Sequence, residues 1–152
     1  MHIGGRAEAS AATWGLYFSG RVNFAAIVDS LKAQHGLGDA NTALLSGCSA
    51  GAIGAFHSVD FLAEHLPSTN VRGAPQAGWF FPNISVFPAW EKDEYVPPYD
   101  PKTAGLYNSS GSLSARCQAD YGESSYLCFS EDVAFKYLTS LVHVGENAAD
   151  SQ

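Results

Sequence analysis

Positive charge is scarce in this chain of 152 residues: eight Lys and Arg stand against fifteen Asp and Glu, a net charge of −7. No Lys/Arg cluster offsets that imbalance, which argues against a nucleic-acid partner or an anionic membrane surface. Long apolar runs are absent too, so no integral membrane segment is expected and the piece reads as soluble. Residues 1–5 do not read as a signal peptide; if the protein is secreted, its targeting segment lies upstream. There is no Cys-x-x-Cys pair, no zinc-ligand spacing and no phosphate-cradling glycine loop, so neither a metal nor another cofactor is expected. Cysteines number only three. Cys117 and Cys128 lie in a polar stretch, 116–129, read as a loop, at a spacing a disulfide can close, whereas Cys48 is expected to be buried. Two glycosylation sequons, Asn83-Ile84-Ser85 and Asn108-Ser109-Ser110, fall nearby in a Pro- and Gly-rich region. Beside a plausible disulfide they favour an oxidising, secretory history and an extracellular location.

What the chain does have is a globular composition, with 46% hydrophobic residues, and one stretch with chemistry in it. Residues 42–51 read TALLSGCSAG, three apolar residues running into Gly47-x-Ser49-x-Gly51. Ala43, Leu44 and Leu45 suit a buried strand, and the apolar spacing of Ala52, Ile53, Ala55, Phe56 and Leu62 suits a helix over 50–66, closed by Pro67. A bare Gly-x-Ser-x-Gly also arises as a small-residue turn without chemistry. A strand before it and a helix after it make it a nucleophile elbow, with Ser49 projecting above the sheet and the N–H of Ala50 facing a developing oxyanion. On this reading both glycines are required, because side chains two positions either side of the serine would clash.

Along the chain, residues 1–13 give little signal, residues 15–18 suit a short strand, and Ser19-Gly20 a turn. Phe24, Ile27, Val28 and Leu31 recur at helical spacing over 21–35, with Asn23 a candidate cap and Gly36 a stop. Residues 70–73 read as a second short strand. Residues 74–112 are rich in proline and aromatic residues and read as an ordered excursion over the elbow, either shaping a pocket or simply stapled to the core. A short helix over 133–138 and a buried strand over 140–144 follow. Strand and helix alternate, which points to a parallel sheet flanked by helices. The expected fold is α/β, three-layered αβα like the α/β-hydrolases, with a mostly parallel sheet incomplete at both ends. The 152 residues then form a fragment of one such domain.

His57, Asp60, Glu64 and His65 on the helix after the elbow are expected to be ordinary helix polar groups, with Asp60 anchoring a neighbouring loop. Glu146 and Asp150, just past the last strand, both qualify as the acid of a Ser–acid–His triad. The histidines are His2, His35, His57, His65 and His143, and none follows Asp150.

The blocks Leu16-Tyr17-Phe18-Ser19-Gly20, LLSGCSAG at 44–51, Asp60 at its distance from the serine, Ala77-Gly78-Trp79-Phe80 and Cys128-Phe129 resemble, in that order, the pectin acetylesterase family, which also contains the Notum carboxylesterases. The resemblance runs from about Trp14 to the end of the chain. It implies an α/β-hydrolase-like fold and a Ser–Asp–His esterase, usually secreted, disulfide-bonded and free of metal. Ser49 matches the nucleophile and Ala50 the oxyanion residue after it, and the final stretch favours Asp150 over Glu146 as the acid. The catalytic histidine has no counterpart and would lie past Gln152; the glycine-rich oxyanion segment would lie before Met1. The sequence departs from the family at Gln76 and Pro82, where acidic residues are usual, and at Ala52, where a glycine is. The implied substrate is an acetyl ester on a polysaccharide such as pectin. A chain at −7 would attract a polyanion only through a local basic patch from Arg6, Arg21 or Arg72; otherwise the substrate is neutral. The competing expectation is a catalytically inactive secreted relative or fragment that binds glycan or lipid.

Overall fold

The computed structural model describes residues 4–79 and 101–146. Its centre is a parallel sheet of three strands in the order β1-β2-β3: β1 is Thr42–Cys48, β2 Asn70–Gln76 and β3 Leu141–Val142. β1 and β2 run in register from Thr42 opposite Asn70 to Cys48 opposite Gln76. β3 pairs at Arg72–Leu141 and Gly73–Val142, and contact resumes only at a bridge from Gln76 to Gly145. The gap falls beside Pro75, which has no N–H to give to a neighbouring strand. Its carbonyl is still used, accepting from Gly145 N–H at 3.0 Å.

Helix α1 (Gly20–His35) precedes β1, and α2 (Ala50–His65) connects β1 to β2. α1 ends at Gly36, which takes the left-handed φ of 70° that stops a helix cleanly. Its first residues differ from expectation: Ser19 is the flanking residue, and Asn23 lies inside the helix, its N–H on the Ser19 carbonyl at 2.8 Å. Val28 from α1, Val59, Leu62 and Leu66 from α2 and its end, and Val71 from β2 form the main core. Ala43, Leu45 and Val142 meet it from the sheet. Each side chain buried in this way contributes about 1.5–3 kcal/mol. The other face of the sheet is open among the described residues, with Leu44 66% and Leu141 65% exposed. The fold is therefore α/β and like the α/β-hydrolases, but only one of the two expected helical layers is present among the described residues.

A second core lies beyond α2. α3 (Pro101–Tyr107), α4 (Ala115–Tyr121) and α5 (Glu131–Ala134) are short helices joined by 3-10 turns at Ser110–Ser112, Gly122–Phe129 and, after α5, Phe135–Tyr137. Cys117 and Cys128 form a disulfide here, packed with Leu113, Phe129 and Val133. The stretch 116–129 is thus helical around two fully buried cysteines, not a polar loop; burying its Phe129 and cystine side requires the backbone hydrogen bonds that helical turns supply. The expected helix over 133–138 is α5 together with the turn that follows it.

Two other expectations change. Residues 15–18 do not form a strand: Trp14 and Gly15 both have positive φ, turning the chain, and only Phe18 pairs, in a single antiparallel bridge with Arg6. Of the excursion 74–112, Ala74, Pro75 and Gln76 complete β2, and Pro101 opens α3 at the position where a missing N–H costs nothing. Residues 80–100 lie outside the described residues, and with them Asn83, Pro82 and most of the aromatic run. No helix among the described residues is long and apolar enough to cross a membrane.

Candidate active site at the turn between β1 and α2

β1 ends at Cys48 and α2 begins at Ala50, so the whole reversal is made at Ser49. Ser49 takes φ 53° and ψ −122°, a backbone state that costs a side-chain-bearing residue about 1–3 kcal/mol and persists only when its surroundings impose it. They do so here through the Ser49 N–H on the Gln76 carbonyl at 2.9 Å, and through its own carbonyl, which accepts from Ala52 N–H at 2.9 Å. Both Ser49 and Ala50 are exposed at the C-terminal end of the sheet. The N–H of Ala50, in the first turn of a helix, has no intrahelical acceptor and is available to an incoming anion.

The flanking glycines are not equivalent. A Cβ on Gly47 would overlap the carbonyl of Gly51, so Gly47 is sterically required. A Cβ on Gly51 would meet no described atom within 4 Å. The expectation that both glycines avoid a clash holds for the first alone, because Gly51 faces a groove of about 310 Å³ between α1, β1 and α2. Cys48, expected to be buried, is an exposed free thiol. It shares the outward alternation of Leu44 and Ser46, on the face of β1 that is uncovered among the described residues.

Two acids fix loops at opposite ends of the sheet, and the second of them holds the loop beside this turn. Asp60 accepts the N–H groups of Thr139 at 2.9 Å and Ser140 at 2.8 Å, anchoring the approach to β3 as expected. Glu146, one residue past the bridge at Gly145, accepts the N–H groups of Gly78 at 3.2 Å and Trp79 at 3.0 Å through one oxygen, Oε2. Gly78 in turn abuts the elbow: a Cβ there would stand 2.8 Å from the Ser49 carbonyl oxygen and overlap the methyl of Ala52. That contact explains why a methyl is accommodated at position 52, since the residue facing it has none. Trp79 packs edge-on against Phe56 and Phe135, at ring separations of 5.7 and 5.4 Å.

The histidines on α2 serve the fold. His57 Nε2 bonds the Phe129 carbonyl at 3.0 Å and its ring packs on Phe129, tying α2 to the disulfide core. His65 Nδ1 bonds the Phe61 carbonyl at 2.9 Å. Arg6 donates to the carbonyls of Leu106 and Gly105, Arg72 sits beside its own strand's Val71 carbonyl, and Arg21 lies over the Phe61 ring at 3.5 Å. Burial pushes the Arg21 guanidinium below its ordinary value, with Glu64 pulling the other way. Asn108 is exposed. Asp150 lies outside the described residues.

Sequence reasoning missed Glu131. It is 1% exposed with Oε1 unbonded among the described residues, and burial, with a smaller contribution from Asp132, raises its carboxyl to about 7 against a backbone N–H that lowers it. Nothing in the run Ser130-Glu131-Asp132 marks the middle residue as buried.

Compared with known proteins, the chain matches the family model described as Pectinacetylesterase over residues 2–152. The chain belongs to the pectinacetylesterase family. Among curated members it is 32% identical to pectin acetylesterase 11 of Arabidopsis thaliana over 97% of this chain and 36% of the relative, and 34% identical to pectin acetylesterase 7 of the same plant over 75% and 28%. It is also 32% identical to the mouse palmitoleoyl-protein carboxylesterase NOTUM, over 74% of this chain and 24% of that protein. The chain therefore spans about a third of the length of the pectinacetylesterases it matches. In this pectinacetylesterase chain the strand–turn–helix at Ser49, the Cys117–Cys128 disulfide and the Gly78–Trp79 turn all lie within the described residues.

Proposed function

We propose that the protein carrying this chain is a serine carboxylesterase whose substrate is an acetyl ester of a polysaccharide. The observation that carries the reading is the backbone of Ser49, held at positive φ between a strand and a helix with its side chain at an exposed edge. Strain of this kind, sustained by surrounding hydrogen bonds, has a use when it presents a nucleophile. Ser49 Oγ attacks the acyl carbonyl while its proton passes to a histidine supplied from outside these residues. Asp150 orients that histidine. The N–H of Ala50, with donors from a segment preceding this chain, holds the oxyanion. The alcohol leaves with the proton, water adds to the acyl-enzyme, and acetate is released. Membership of the pectinacetylesterase family supports pectin as the alcohol partner, and the disulfide and the exposed sequon Asn108, with Asn83, support secretion.

The test is acetate release from acetylated pectin by the protein expressed from its full gene. Release that disappears in S49A supports the reading. No release from pectin or from a neutral acetylated glycan, by a folded protein, leaves the glycan- or lipid-binding alternative.

A further inference from the structure

Two loops meet beside Ser49, one leaving β2 and one leaving β3, and a single carboxylate joins them. Ala77 N–H bonds the Gly145 carbonyl at 2.8 Å, so the two chains are already parallel neighbours when Glu146 is reached. Its Oε2 then takes the next two N–H groups in succession, those of Gly78 and Trp79. Ala77 has φ 49°, which a residue with a side chain rarely adopts, so the turn is not maintained by its own preference. Gly78 is the residue that rests on the Ser49 carbonyl and the Ala52 methyl. The chain of contact therefore runs from Glu146 to Gly78 to the strained turn itself.

We infer that Glu146 is a positioning residue of the Ser49 site: its carboxylate clamps the Gly78–Trp79 backbone against the elbow and thereby holds Ser49 in its strained, nucleophilic orientation. This rests on the reading of Ser49 as the nucleophile. It also divides two roles between two neighbouring acids, Glu146 holding backbone and Asp150 orienting the histidine. The roles differ in what they require. An acceptor for two N–H groups can be an amide oxygen, whereas the acid of a triad must be a carboxylate, since an amide holds the histidine in the wrong tautomer.

The experiment compares E146Q, E146L and the wild type, all expressed from the full gene. It reads the rate at which a fluorophosphonate labels Ser49, kcat and KM for 4-nitrophenyl acetate, and the melting temperature, with rates taken well below melting. Removing the clamp in E146L is expected to slow labelling and kcat by about 10- to 100-fold with KM little changed, since displacing a reacting group by about 1 Å costs that much. E146Q is expected to restore most of the loss. E146S, which removes the carboxylate without adding apolar bulk, gives the same comparison if E146L does not fold. Labelling of E146L or E146S at the wild-type rate overturns the clamp. Loss of about 10⁴-fold in E146Q makes Glu146 the triad acid and overturns it equally. A folded wild type whose Ser49 is not labelled refutes the nucleophile reading itself, which separates that failure from the other two.

Discussion

Gly47 lies so close to the carbonyl of Gly51 that no side chain fits between them, while Gly51 itself looks out on open space. The two glycines of one motif are thus present for different reasons. One is a steric requirement of folding the helix back over the end of its strand. The other sits at the second position of α2, where glycine is a poor helix former.

That difference is measurable. G47A is expected to destabilise the folded protein by about 1–3 kcal/mol, the usual cost of forcing extra bulk into a packed site. G51A is expected to cost much less. Denaturant unfolding of the two variants checks the order, and a larger loss for G51A would mean that residues outside those described here pack against it.

Asp60 links α2 to the entrance of β3 by receiving two consecutive backbone N–H groups. In D60A both donors lose a charged acceptor, at an expected cost of about 2–3 kcal/mol. D60N keeps one acceptor oxygen and is expected to lose less. Equal losses in the two variants would show that the carboxylate charge, not the hydrogen bonding, is what Asp60 supplies.

Glu131 predicts a pH dependence. Its folded carboxyl is raised from 4.5 to about 7 by burial, so between those values the folded state binds more protons than the unfolded one. Stability from this group is complete below about pH 4.5 and is lost as the pH climbs to 7. The full penalty is about 3 kcal/mol at about 1.4 kcal/mol per unit. E131Q removes the titration, so it is expected to gain on the wild type steadily from pH 4.5 to 7 and to hold that gain above. Parallel stability curves for the two proteins would contradict the assignment.

The elbow was legible in the sequence because it is local. Strand, turn and helix are consecutive, and α2 appears over Ala50–His65 almost where the apolar spacing puts it. Asp60 was legible as an anchor for the same reason, lying three turns from Ser49 on a predictable helix. Residues 15–18 depart from expectation because the apolar run Leu16-Tyr17-Phe18 suits a strand, yet a strand needs a neighbour, and among the described residues only one bridge, to Arg6, is offered. β2 extends past its expected end through Pro75, since a strand held on both sides tolerates one missing donor where the ladder to β3 is interrupted. Cys48 was misplaced because its exposure depends on which face of the sheet is covered, a property of the assembled layers. Glu131 gives no sign of itself in the sequence: its burial comes with the packing of α5 against α2, which is far away in sequence.

The central claim is that Ser49 is an activated nucleophile. The most direct measurement is intact-mass analysis of the protein from its full gene after brief exposure to a fluorophosphonate, with S49A alongside. One adduct on Ser49, absent from S49A and blocked by prior denaturation, is the predicted result. A folded protein that takes up no label, or takes it up equally in S49A, would contradict the account.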